Sequence, residues 1–181
     1  MVRANAPEYT MIDCLYFGDP DSKIREARRL FRLHGQSLLE NPEVSESIRE
    51  LNRLDEALQE VMRTMGMDEE CAECGREFDG GCCSDEMASE TYALLLLIAM
   101  LAGGEACEQE REELGCRFLG PDGCVLKFKP FICINYRCRK MVARHSSEDS
   151  ARLEHTTSAL LNQLVAVEEL LCRELEGAFQ E

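Results

Sequence analysis

Eight cysteines in two tight groups constrain this chain more than any other feature of its sequence. They read Cys71-x2-Cys74-x7-Cys82-Cys83, then Cys116-x7-Cys124-x8-Cys133-x4-Cys138. Thiolates that share a metal need short, turn-rich spacers so that their sulfurs converge, and both groups have them. A C-x-x-C step sets two sulfurs on one side of a tight turn, within reach of a tetrahedral ion or a cluster iron. Adjacent cysteines such as Cys82 and Cys83 tend to point apart, so one serves one centre and the other a second centre or the far side of a cluster. All-thiolate ligation selects zinc, copper(I) or iron–sulfur and argues against magnesium and calcium.

Composition sets the context. The 181 residues are 45% apolar, enough to bury a core without disulfide staples, and point to a single domain over 1–181. Met1 to Thr10 lacks a basic region followed by an apolar stretch, so no secretory signal is expected and a reducing cytoplasm is the expected address. There, clustered cysteines read as metal ligands or redox thiols before disulfides. The longest apolar run, Tyr92 to Ala102, falls well short of the roughly 20 residues a bilayer needs and predicts a buried core helix. A formal charge of −15, from 20 Lys and Arg against 35 Asp and Glu, argues against nonspecific nucleic-acid binding.

The rest of the pattern is helical. Ile24, Ala27, Leu30, Phe31 and Leu38 predict a helix over 21–40, with Gly35 as its weak point. Asn41-Pro42-Glu43 is a helix start, and Val44, Ile48, Leu51, Leu54, Leu58, Val61 and Met65 form the stripe of a helix ended by Gly66. Residues 67–83 have no apolar period and read as a loop. Ser84 caps a helix that Gly103-Gly104 closes at about 102, and Glu105 to Leu114 reads as another short helix. Gly120-Pro121-Asp122-Gly123 predicts a tight turn between two extended pieces, and Pro130 disfavours a helix there. A final helix spans 147–179, long enough to cross the domain or pair with a second copy. The fold class is therefore mainly α. A helical bundle is expected, with the cysteine-rich region 71–138 as two irregular loop segments flanked by helices 21–65 and 147–179.

The joint pattern resembles the YkgJ-like cysteine-cluster family, described as a zinc- or iron-chelating domain. The residues that carry the likeness are Cys71 and Cys74, Cys82-Cys83, Cys116-Arg117-Phe118-Leu119, Gly123-Cys124, Pro130-Phe131-Ile132-Cys133 and Tyr136-Arg137-Cys138. The spacer before Cys82 is longer than usual, Lys129 stands where an arginine precedes the proline, and Ile134 where an arginine often follows the cysteine. The resemblance implies metal chelation by Cys71, Cys74, Cys82, Cys83, Cys116, Cys124, Cys133 and Cys138, and no established reaction.

Zinc is favoured by four-cysteine stoichiometry and by the lack of a second redox motif. Iron–sulfur is favoured by ligation without histidine, the Cys-Cys pair, and Pro130 and Phe131 as apolar shielding near Cys133. The balance tips to an iron–sulfur carrier or redox accessory. A zinc-stabilised interaction module is the alternative, and a thiol enzyme using Cys71 and Cys74 as a redox pair comes third. Cys14, Cys107 and Cys172 read as core filler. No catalytic triad or paired-carboxylate signature stands out, and whether the chain is an enzyme stays open. His145 and His155 read as solvent-facing, and Tyr136 as a buried aromatic.

Charge is unevenly spread. Residues 123–147 contain no acid and six bases, Lys127, Lys129, Arg137, Arg139, Lys140 and Arg144, whereas 68–90 carry nine acids and one base. The plainer reading is that the two segments balance each other; the sharper one is a docking surface for an anionic ligand or acidic partner. The partners expected are a protein, or a second copy through the last helix, and neither a membrane nor a nucleic acid.

Overall fold

The computed structural model describes residues 10–75, 82–105, 116–120, 123–136 and 138–176, with the side chains of 74, 75, 139 and 140 outside that description. The architecture is mainly helical. Thr10 caps the short helix α1 (Met11–Tyr16) through a reciprocal box with Asp13, an element the sequence reading did not anticipate. Asp19 accepts from the Ser22 N–H at 2.9 Å and Pro20 takes the first helical position, which together start α2 (Pro20–Glu40). Asn41 caps α3 (Pro42–Thr64), and Gly66 at φ +68° turns the chain out of it in a conformation that L side chains rarely adopt. Gly35 is buried inside α2, where an added Cβ would meet the Phe31 ring at 3.0 Å.

The next stretch departs from expectation. Residues 67–75 are not a loop but a helix, α4 (Met67–Gly75), so Cys71 and Cys74 stand one turn apart on a helix rather than at a tight turn. Asp68, Glu69 and Glu70 in its first turn suit the positive end of a helix dipole and explain a helix with little apolar period. The helix expected from Ser84 onward is two: α5 (Asp85–Ser89), capped by the Ser84 hydroxyl, and α6 (Ala93–Leu101). The break at Tyr92, whose backbone is extended, has a tertiary cause. Its ring stacks on Tyr16 with centroids 5.3 Å apart, and its hydroxyl donates to Glu168.

The two strands β1 (Leu119–Gly120) and β2 (Gly123–Cys124) pair antiparallel, Leu119 with Cys124 and Gly120 with Gly123, as the turn chemistry predicted. Pro130 does not prevent a helix but precedes one, α7 (Phe131–Asn135), because a proline ahead of the first turn gives up no hydrogen bond. Then come α8 (Arg139–Arg144) and the long α9 (Ser147–Glu176). The helix expected from Glu105 to Leu114 falls almost wholly outside the described residues, as does Cys107.

α6 organises the packing. Ala93 through Ala99 and Leu101, apart from Met100, are buried, and they belong to two apolar clusters. Leu94, Leu95, Leu97 and Ile98 join α3 and α9 in the larger one, while Ala93 and Leu96 join Ile24, Ala27, Phe118 and Leu119 in the smaller. α9 lays its stripe of Leu153, Leu160, Leu164, Val167 and Leu171 into the larger cluster with α3, and Gln163 donates to the Ser47 carbonyl at 3.2 Å. α9 thus packs across the domain along α3. Among the described residues no helix is long and apolar enough to cross a membrane.

The group Tyr16, Tyr92, Glu168 and Cys172 ties α1, α6 and α9 together. The Tyr16 hydroxyl lies 3.9 Å from the Cys172 sulfur, so Cys172 packs at the core edge as expected. Burial, partly offset by hydrogen bonds from Tyr92 and Tyr16, lifts the Glu168 carboxyl above the usual carboxylate range. Burial likewise pushes both phenols up.

Two outcomes follow for stability. Replacing fully buried Leu97 by alanine is expected to cost about 2–5 kcal/mol by denaturant unfolding, against about 0.5 kcal/mol or less for Val165→Ala on the exposed face of α9. Because the folded protein holds the Glu168 proton more tightly than the unfolded chain, the contribution of this group is full below the unfolded value and is lost as pH rises through the folded one. Glu168→Gln should therefore gain melting temperature relative to the wild type between pH 4 and pH 7.5; a difference that does not change with pH would remove Glu168 as the source.

Candidate metal centre

Cys116 and Cys124 of the second group, with Cys83 of the first, are seated on the smaller apolar cluster. Phe118 ahead of β1 and Leu119 within it are buried, Leu126 and Phe128 follow just after β2, and the Val125 N–H donates to the Phe118 carbonyl at 2.9 Å. Cys116 leads into the hairpin and is itself buried, whereas Cys124 closes β2 and is half-buried. The first group meets it directly. Cys82 and Cys83 lie just ahead of the Ser84 cap, and the Cys116 N–H donates to the Cys83 carbonyl at 3.0 Å. Cys133 stands in α7, where the Ile134 N–H donates to the Pro130 carbonyl at 3.1 Å.

The sulfurs feel one another. Cys83 is raised first by the hydrogen bond its thiol makes to Cys82, then by burial and by the thiols of Cys82, Cys116 and Cys124. Cys133 is pushed up to about 12 by burial and by Cys124, Cys116 and Cys82, with Lys129 pulling the other way. Cys124 is raised by burial, again against Lys129. Cys82 is lowered to about 6, because the Cys83 thiol donates to it and Lys129 adds positive charge nearby. Five of the eight expected ligands, Cys82, Cys83, Cys116, Cys124 and Cys133, thus share one electrostatic neighbourhood built from both chain segments.

The other three lie at its flanks. Cys71 is exposed on α4 and borders, with Cys133, a cleft of about 70 Å³. Cys138 is half-buried at the start of α8, and Cys74 belongs to α4 with its side chain outside the described residues. Among the described residues no three cysteine, histidine or carboxylate side chains stand in a metal-coordinating arrangement, and no cysteine is in a disulfide. The donor chemistry of the five still suits a soft ion, being sulfur throughout with a lysine nearby.

Several neighbouring readings change. Phe131 is 68% exposed and Tyr136 53% exposed, so Phe131 does not shield Cys133 and Tyr136 is not a buried aromatic; Pro130 alone is buried there. Phe131, Ile132 and Tyr136 instead line an open groove with Tyr92 and Glu90. His145 is half-buried at the end of α8, with its Nε2 shut off from solvent, whereas His155 is exposed. Arg144 donates to Glu70 at 2.5 Å, so one base of the acid-free segment does neutralise an acid of the first group.

Asp55 was missed. It sits on α3 with only 9% of its surface exposed, and it faces the same cleft as Cys71, Cys133, Lys127 and Lys129. The signal was present in the sequence: an aspartate at the place in the Leu51–Leu58 stripe where period predicts an apolar residue.

Comparison with models of known protein families, with curated proteins and with solved structures finds no match to this chain.

The lowered Cys82 thiol and the raised Cys124 and Cys133 predict an order of reaction. With iodoacetamide at pH 7, peptide mapping should show Cys82, exposed and thiolate-rich, modified well before Cys124 or Cys133. Equal rates at the three positions would contradict this electrostatic picture.

Proposed function

We propose that this chain is a cysteine-ligated metal protein of the YkgJ-like kind. The thiolates of Cys82, Cys83, Cys116, Cys124 and Cys133 form the heart of the site, and Cys71, Cys74 and Cys138 complete it from the flanks. The observation that carries this reading is the Cys116-to-Cys83 backbone bond, which joins two cysteine groups separated by more than thirty residues and leaves five thiols in one neighbourhood. All-sulfur ligation without histidine and the adjacent pair Cys82-Cys83 favour an iron–sulfur cluster over a lone zinc. A redox or electron-transfer accessory in a reducing compartment is the role that such a centre suits.

A zinc-stabilised interaction module is the second reading. It is favoured by the exposed Phe131 and Ile132 of α7 and Tyr136 just after it, since a rimmed apolar patch marks a surface for a protein partner.

Metal analysis with optical and paramagnetic resonance spectra of anaerobically purified protein tests both. The expected result is a coloured protein containing iron and sulfide, with metal content at least halved in both Cys82→Ser and Cys124→Ser. A colourless, zinc-loaded protein would select the second reading, and undiminished metal in both variants would reject this ligand set.

A further inference from the structure

The cleft of about 70 Å³ that Cys71 and Cys133 border carries charges of its own. α3 contributes Asp55, and the segment after the hairpin contributes Lys127 and Lys129. Asp55 is buried and both lysines are half-buried. The rest of the wall is largely apolar, with Met62, Met141 and Leu160 all buried.

Lys127 is held from three sides. Its stem lies so close to Gly104 that a Cβ there would meet the Lys127 Cδ at 3.0 Å and Cβ at 3.1 Å. Its ammonium stands 5.5 Å from the Phe128 ring centroid and 4.0 Å from the Asp55 Oδ2. Asp55 is held loosely in return, with Gln59 donating to its Oδ1 at 3.5 Å, and a carboxylate buried with partners this distant is costly for packing alone. This carboxylate and the two lysines are the charged side chains of the wall, so one positive charge there has no carboxylate opposite it. An apolar cleft with one such cation suits a monoanion that carries its own apolar body. A phosphate dianion would bring one charge too many and leave the apolar wall unused.

Volume sets the size of that body. A dry cavity of about 150 Å³ takes benzene, so a cleft of about half that size takes an alkyl tail of about two or three carbons. We propose that this cleft binds a short-chain carboxylate of the size of propionate or butyrate, with its carboxylate group on Lys127 and Lys129 and its alkyl tail among Met62, Met141 and Leu160. Asp55 sets the selectivity: it holds Lys127 and adjusts the wall to accept one negative charge and not two. No sulfur takes part in holding the ligand, so the inference goes beyond the metal reading and does not require it.

Isothermal titration calorimetry of the full-length protein with sodium carboxylates at constant ionic strength tests this. One propionate per chain is expected, with affinity rising roughly three- to fourfold for each methylene from acetate to butyrate, the factor that burying one methylene gives. Hexanoate, whose tail exceeds the cleft, should gain nothing further, and n-propylammonium and inorganic phosphate should bind more weakly than propionate. Lys129→Met should weaken propionate by roughly fivefold or more, the size of one charge contact at about 4 Å in water. Asp55→Asn should tighten propionate and narrow its preference over phosphate, an opposite sign that a merely structural role would not produce. Circular dichroism checks that each variant folds; where one does not, the ligand series on the wild type decides.

Absence of propionate binding, equal binding of propionate and n-propylammonium, or an affinity that does not change with tail length would overturn the proposal. A folded Lys129→Met protein that binds propionate as the wild type does would overturn it as well. None of these outcomes bears on metal content, so the proposal and the metal reading fail separately.

Discussion

The structure depends on one helix that offers no polar side chain to water. α6 runs through Ala93, four consecutive leucines, Ile98, Ala99 and Leu101, and burial is the only state in which such a helix is stable. α2 covers one side, α9 and α3 the other, and Asn52 of α3 reaches the Ala102 carbonyl at its end at 3.4 Å. Because α6 contributes to both apolar clusters, it also sets where the cysteine hairpin lies. Ala93 and Leu96 form the floor on which Phe118, Leu119 and Leu126 rest, and Cys116 shares that cluster with them. The placement of the sulfurs is thus a consequence of hydrophobic burial and does not require the sulfurs to attract one another.

The elements legible in the sequence are those whose signals are local. α2, α3 and α9 combine an amphipathic period with start or stop residues such as Asn41 and Gly66, and these operate within one or two turns of chain. The misread elements are short or governed from a distance. α4 buries only Met67 and Ala72 on described side chains and draws on first-turn acids, so its sequence has no period to recognise. The break between α5 and α6 arises because Tyr92 serves Tyr16 and Glu168, each 76 positions away from it along the chain. No local pattern records such a contact.

The site divides in the same way. Spacing picked out eight cysteines as a set, but which of them converge follows from the Cys83 to Cys116 bond and from the seat of the hairpin, both of them long-range. Cys71 enters the set through its C-x-x-C spacing with Cys74, yet on α4 it stands exposed at the cleft, while the adjacent pair Cys82 and Cys83 lies within the sulfur neighbourhood. Asp55 shows the converse: a breach of the apolar stripe that only tertiary structure turns into a statement about charge.

Charge then explains why the chain is arranged as it is around its sulfurs. In the neighbourhood of Cys82, Cys83, Cys116, Cys124 and Cys133, ionising one thiol makes the next harder to ionise, as the raised Cys83 and Cys133 express. One lysine can support one thiolate, and Cys82, helped by the Cys83 hydrogen bond, is that thiolate. Cys83 and Cys133 stay protonated, because burial and the neighbouring thiols both oppose their ionisation. The thiols of this neighbourhood thus divide by charge: Cys82 ionises most readily, while Cys83 and Cys133 are held back by burial and by the sulfurs beside them. The lysine that favours the Cys82 thiolate comes from the acid-free segment 123–147, a basic stretch of an acidic chain.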